Sequence, residues 1–133
     1  MAISYNQFSK EINSENFSDF MKKNNTYGGF KAQASLAGGD IPLSGVNIKI
    51  YNELNDGQHL FFQGITNANG IIDGVQLPAP PYEKPTLSNI SGPYAKYELL
   101  AEKEGYNSIL KQINIYSGIR TLLPLEFTVK EDY

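Results

Sequence analysis

The sequence predicts a mainly β protein, a single antiparallel β-sandwich of about seven strands preceded by a short N-terminal α-helical segment. Three observations lead there. From residue 29 onward apolar side chains recur with a period of two, the spacing that lines one face of a strand. Clusters of Gly, Asn, Asp and Pro separate these runs at regular intervals, as the turns of a sandwich do. Residues 1–27 differ in style and place their apolar residues at helical spacing.

In that N-terminal stretch Ser4 with Gln7 three places on has the form of a capping box, and Phe8 and Ile12 then fall at i, i+4. Ser14 is placed to cap a second helical turn in which Phe17, Phe20 and Met21 share one face. Lys22 and Lys23 follow near its C-terminal end, where cations suit the helix dipole. Asn24-Asn25-Thr26-Tyr27-Gly28-Gly29 then breaks the helix. The result is one or two short amphipathic helices whose apolar side must dock on something.

The strands follow in order. Phe30, Ala32, Ala34 and Leu36 alternate with Lys31, Gln33 and Ser35, and Ala37-Gly38-Gly39-Asp40 turns the chain. Val46, Ile48 and Ile50 alternate with Asn47, Lys49 and Tyr51, and Asn55-Asp56-Gly57 is a strong turn signal. Residues 59–66 form the next strand, followed by a turn at Asn67-Ala68-Asn69-Gly70 and a shorter strand over 71–77. The run Leu77-Pro78-Ala79-Pro80-Pro81 halts that strand, because proline lacks the N–H that a central ladder needs. Residues 78–93 read as a long Pro/Ser/Gly loop. Strands over 94–101, 108–116 and 120–129 complete the set. The chain divides into a helical arm (1–27), a sandwich domain (28–129) and a C-terminal tail (130–133).

Composition bounds the function. A chain of 133 residues fits one domain, and 41% hydrophobic with 19% charged residues is the balance of a soluble globular protein. A net charge of −3, with Lys22-Lys23 as the only basic doublet, argues against nucleic acid and anionic membranes as partners. The absence of cysteine excludes disulfides, thiolate nucleophiles and Cys-based metal sites. No signal peptide is visible at the N-terminus, and no apolar stretch approaches the roughly 20 residues of a membrane span. The expectation is synthesis in the cytoplasm and no membrane span.

The order of signals resembles the carboxypeptidase regulatory-like domains, which have a prealbumin-like (transthyretin-like) Greek-key sandwich. Ile41-Pro42-Leu43-Ser44-Gly45-Val46-Asn47-Ile48 is similar to that family's lead into its second strand. Thr66-Asn67-Ala68-Asn69-Gly70 resembles its Thr-Asp-x-x-Gly turn, with Asn67 in place of Asp, and Glu104-Gly105-Tyr106 resembles its Gly-Tyr corner. Asn67, Gly70, Gly105 and Tyr106 are therefore expected as structural turn and corner residues, Tyr106 as a corner hydrogen-bonder. A narrower similarity joins residues 20–30, the Leu-Pro-Ala-Pro-Pro run, Pro93-Tyr94-Ala95-Lys96-Tyr97 and residues 115–125. It points to the domain at the start of Gram-positive peptidoglycan-binding proteins and clostridial spore cortex-lytic enzymes, over roughly residues 17–127. The resemblance implies association with a cell wall or spore envelope. Residues 1–16 have no counterpart in it, and the hydrolase or peptidoglycan-binding module that usually follows is not in this sequence.

Catalytic chemistry finds little purchase. His59, the only histidine, lies in Gln58-His59-Leu60-Phe61-Phe62 on an alternating strand, with no base or nucleophile identified beside it. Paired carboxylates could cleave glycosidic bonds, but Glu11, Glu15 and Asp19 form a helix stripe and Asp40, Asp56 and Asp73 fall at turns. Asp40 and Asp73 with Asn67 and Asn69 lack the closing Glu of a calcium loop. Pilin-type sandwiches carry an internal Lys–Asn crosslink assisted by Glu in Tyr-x-Leu-x-Glu. Here Tyr97-Glu98-Leu99-Leu100-Ala101 puts Ala101 at the Glu position, and Lys31 falls on the outward phase. Nine tyrosines could stack on sugars, but they are spread along the chain and tryptophan is missing.

The sequence thus predicts no enzyme, no cofactor and no metal. It predicts a structural or interaction domain associated with the cell wall or spore envelope, with self-assembly or a protein partner as the expected mode of association and peptidoglycan as a candidate ligand. The alternatives are an accessory module that positions a peptidoglycan hydrolase and, less favoured, a carbohydrate-binding module. Phe8, Ile12, Phe17, Phe20 and Met21 are the candidate interaction residues: they either cover the sandwich's own open side or reach a partner. Sheet edges offer a second route, by strand addition.

Overall fold

The computed structural model describes residues 15–84, 86 and 92–131. The expected first helix, with Ser4, Gln7, Phe8 and Ile12, lies outside the described residues, as do Glu11 and Ser14. In chain order the elements are α1 (Phe17–Lys23), β1 (Thr26–Leu36), β2 (Asn47–Leu54), β3 (Gly57–Ile65), β4 (Ile71–Ala79), β5 (Ala95–Glu102), β6 (Ile109–Ile115) and β7 (Arg120–Phe127). The strands form two layers, ordered β4-β1-β7 and β3-β2-β5-β6.

The sandwich expected from the period-two pattern is present, and the inward phases hold. Phe30, Ala32 and Ala34 of β1, Ile48 and Ile50 of β2, Leu99 and Ala101 of β5, and Leu125 and Phe127 of β7 are fully buried. One strand pair departs from the antiparallel scheme. β1 and β7 run parallel, from Gly29 beside Arg120 to Leu36 beside Phe127. A tight hairpin enforces antiparallel pairing, and no hairpin joins the first and last strands.

Two strand limits and one cap move relative to the sequence reading. β1 starts at Thr26, with Thr26 and Tyr27 paired to Ala79 and Pro78, so Gly28-Gly29 lies inside the strand. The reason is close approach: a Cβ on Gly28 would overlap the Tyr116 carbonyl oxygen and come within 2.7 Å of Ile115 Cγ2. β4 continues through Pro78 to Ala79, past the expected halt at Leu77, which is possible because β4 is an edge strand with a neighbour on one side only. The N-cap of α1 is Asn16, whose Oδ1 accepts from the Asp19 N–H at 2.8 Å, in the place expected for Ser14.

The second sheet divides at one end. β2 pairs with β5 only from Asn47/Glu102 to Tyr51/Glu98. Beyond that point β2 stays with β3 as far as Leu54/Gly57, and β5 stays with β6 as far as Ala95/Ile115. The register of β3 also slips there: Ile50 faces Phe62 and Tyr51 faces Leu60, leaving Phe61 as a bulge. Bulges re-aim side chains. Phe61 and Phe62, adjacent in sequence, both become partly buried against the core. The parted hairpins and the bulge together create the seat for α1.

Candidate interaction surface

The α1 seat is an aromatic cluster. Phe20, only 3% exposed, puts its ring 5.5 Å from Phe61 of β3 and 5.9 Å from Tyr97 of β5, centroid to centroid. Phe61 and Tyr97 are themselves 5.1 Å apart in an edge-on arrangement. Such pairs add about 0.5–1.5 kcal/mol each beyond the area they bury. The Tyr97 hydroxyl donates to the Pro78 carbonyl of β4, across the two layers. Burial pushes that hydroxyl's pKa above the ordinary tyrosine value, with the nearby Tyr27 adding to the effect.

The start of α1 is fastened to the β2–β3 turn. The Asn55 N–H donates to the Glu15 carbonyl at 2.8 Å, and the Phe17 N–H donates to Asp56 Oδ2 at 3.2 Å. Asp56 Oδ1 lies 2.9 Å from His59 Nε2, and the His59 ring stacks on Phe17 with centroids 4.6 Å apart and planes 25° from parallel. The hydrogen bond from His59, then that from Phe17, holds the Asp56 carboxyl below its usual pKa. Lys23 closes the arrangement with an ion pair to Glu15 at 2.7 Å.

The expected interaction face is thus largely occupied by its own domain. Phe20 belongs to the core, Met21 packs against it, and Phe17 remains 38% exposed with one face on His59. Phe8 and Ile12 lie outside the described residues. His59 has a partner that linear spacing does not reveal, since Asp56 reads simply as a turn residue. The pair faces an aromatic ring and a backbone amide, and it acts as a fastening. Among the described residues no group of three or more His, Asp and Glu side chains could hold a metal ion.

The turn and corner residues are placed as follows. Asn67 Oδ1 accepts from the Asn69 N–H at 2.9 Å and the Ile71 N–H at 3.0 Å, and the Asn67 carbonyl accepts from Gly70 at 2.9 Å. Gly70 has φ +75°, and a Cβ there would overlap the Ala34 carbonyl oxygen. Gly105 has φ +89°, its carbonyl accepts from the Lys130 N–H at 2.9 Å, and Tyr106 bridges Val129 while its ring stands edge-on to Phe127. Among the described tyrosines, the one whose hydroxyl makes a buried hydrogen bond is Tyr97.

The remaining surface features lie on edges and outer faces. Leu60 and Ile65 on β3, Leu110 on β6 and Leu122 on β7 are 57%, 67%, 62% and 61% exposed, and all three strands are sheet edges. A shallow hollow of about 150 Å³ is lined by Lys31, Gln33, Leu122, Leu123 and Pro124 of β1 and β7. Tyr94 and Tyr116, distant in sequence, meet with ring centroids 5.4 Å apart. No described helix is long and apolar enough to cross a membrane.

No protein-family model matches the chain, and no curated protein matches it. Solved structures do. A minor pilin, GBS52, of the Gram-positive pathogen Streptococcus agalactiae matches with TM-score 0.53 and 15% identity over 81% of this chain and 47% of its own. An (S)-allantoin synthase matches with TM-score 0.51 and 12% identity over 84% of this chain and 46% of its own. The Bacillus anthracis TIE protein matches with TM-score 0.49 and 19% identity over 77% of this chain and 16% of its own. The chain therefore spans about a sixth to a half of these structures. At such identities, what this chain shares with the minor pilin and the synthase is the fold, a β-sandwich.

Proposed function

We propose that this chain is a non-enzymatic structural and interaction domain of a Gram-positive cell wall or spore envelope, and that it associates with further copies of itself. The observation that carries this reading is the position of four exposed apolar side chains. Leu60, Ile65, Leu110 and Leu122 stand on sheet edges, where unpaired N–H and C=O groups also face outward. Natural sandwiches usually blunt such edges with charge, and exposed apolar groups there mark contact sites. Support for the location comes from the sequence resemblance to wall-binding and cortex-lytic proteins, and a minor pilin of a Gram-positive pathogen has the same fold.

The resemblance favours a second reading, in which the sandwich is an accessory module that positions a peptidoglycan hydrolase. Two measurements test the proposal and separate these readings. Light scattering over a wide concentration range should show a mass that rises above that of one chain. Incubation with purified peptidoglycan sacculi should release neither sugar nor peptide. A fixed single-chain mass combined with retention on sacculi would favour the accessory module, and release of fragments would contradict the non-enzymatic assignment.

A further inference from the structure

The seat of α1 is better suited to exchange than to permanent closure, and three observations make it so. First, α1 is seven residues long, too short to persist as a helix without its seat. Second, only Asn24 and Asn25 separate it from β1, a hinge that spans at most about 7 Å when extended. Third, that hinge is poorly compensated. Asn24 is 2% exposed, its Nδ2 donates to the Phe20 carbonyl at 2.8 Å, and its Oδ1, sealed from solvent, finds no hydrogen-bond partner among the described residues. A buried acceptor left unpaired forfeits its hydration without a compensating bond, a cost that release of the hinge recovers. Short hinge loops invite element exchange between identical chains.

We propose that the α1 seat is an interface between copies: in the associated form, each copy's α1 occupies the Phe61–Tyr97 seat of its neighbour. The occupant is a second copy of this chain because the seat already fits that segment, ring for ring, with Phe20 between Phe61 and Tyr97 and Phe17 on His59. The short hinge requires the neighbour to abut the same flank. That flank includes β3, the edge strand carrying exposed Leu60 and Ile65. Exchange keeps every seat contact, so its gain comes from relief at Asn24 and from burial of that edge.

This inference rests on the self-association proposed above, and its test separates the two. The chain has no cysteine, so single thiols can be placed cleanly. A Phe17→Cys chain and a His59→Cys chain are mixed, and a short thiol crosslinker is added. Exchange predicts a linked pair of unlike chains in excess of like pairs; links that appear only within a single Phe17→Cys/His59→Cys chain would overturn it. A second variant inserts three Gly/Ser residues after Asn25 in the otherwise natural chain, which gives α1 more slack to occupy its own seat. Exchange predicts loss of the associated species in light scattering. An associated species unaffected by the insertion overturns exchange alone, and a natural chain that is monomeric throughout overturns self-association as well.

Discussion

The Tyr97 hydroxyl of β5 donates its hydrogen bond to the Pro78 carbonyl of β4, so one side chain ties the two layers together beneath the α1 seat. Its ring meets Phe20 and Phe61, and its oxygen serves a proline-containing edge strand that has fewer backbone bonds to offer. Tyr97→Phe keeps the ring and removes the bond. The loss should be about 1–3 kcal/mol, read as a lower urea midpoint at unchanged slope. The raised hydroxyl pKa adds a pH signature. Folding favours the protonated form, so this contribution is intact below the unfolded value of 10.0 and declines as pH rises above it. Tyr97→Phe should lack that part of the alkaline decline.

Phe17 and Phe20 share a helix face but not a role. Phe20→Ala empties a core position and should cost about 3–5 kcal/mol. Phe17→Ala loses one stacked face at a partly exposed site and should cost under about 1.5 kcal/mol. Equal costs in thermal or urea unfolding would show that the helix is not seated through Phe20.

The Asp56 fastening should weaken in acid. Its folded pKa lies below the ordinary value of 3.8, so its contribution is present above 3.8 and is lost as pH falls through the folded value. The Phe17 amide resonance, followed by NMR during an acid titration, should move with that loss. In Asp56→Asn the movement should disappear, and an unchanged titration in that variant would assign it to another group.

Glycines with similar backbone angles should respond differently to alanine. Gly70 and Gly74 have φ +75° and +74°, but a Cβ on Gly70 would overlap the Ala34 carbonyl oxygen, whereas one on Gly74 meets nothing within 4 Å. Gly74→Ala should cost about 1–2 kcal/mol for the left-handed conformation alone. Gly70→Ala should cost that plus about 1–3 kcal/mol of overpacking. In the same turn Asn67→Asp retains the acceptor for Asn69 and Ile71 and should be near neutral, whereas Asn67→Ala should lose about 1 kcal/mol.

The fold was legible because each inward strand position is apolar: Phe30, Ile48, Leu99 and Leu125 declare their faces by alternation alone. What escaped depends on contacts distant in sequence. Gly28-Gly29 looks like a break until the Tyr116 carbonyl is seen against it, and Pro78 looks like a stop until β4 proves to be an edge. The parallel β1–β7 pair leaves no local trace. At the α1 seat the apolar spacing of Phe17, Phe20 and Met21 was visible, but its counterpart was not. Phe61 turns inward only through a bulge, and Asp56 meets His59 only once the β2–β3 turn has formed. Tyr94 and Tyr116 likewise become a pair only through the β5–β6 register.

The proposed self-association of this sandwich is tested most directly by static light scattering across a wide range of chain concentrations. The account predicts a mass that climbs above one chain as concentration rises, and that falls back when Leu60 and Ile65 of the β3 edge are both replaced by lysine. A mass fixed at one chain for the natural sequence at every concentration would contradict it.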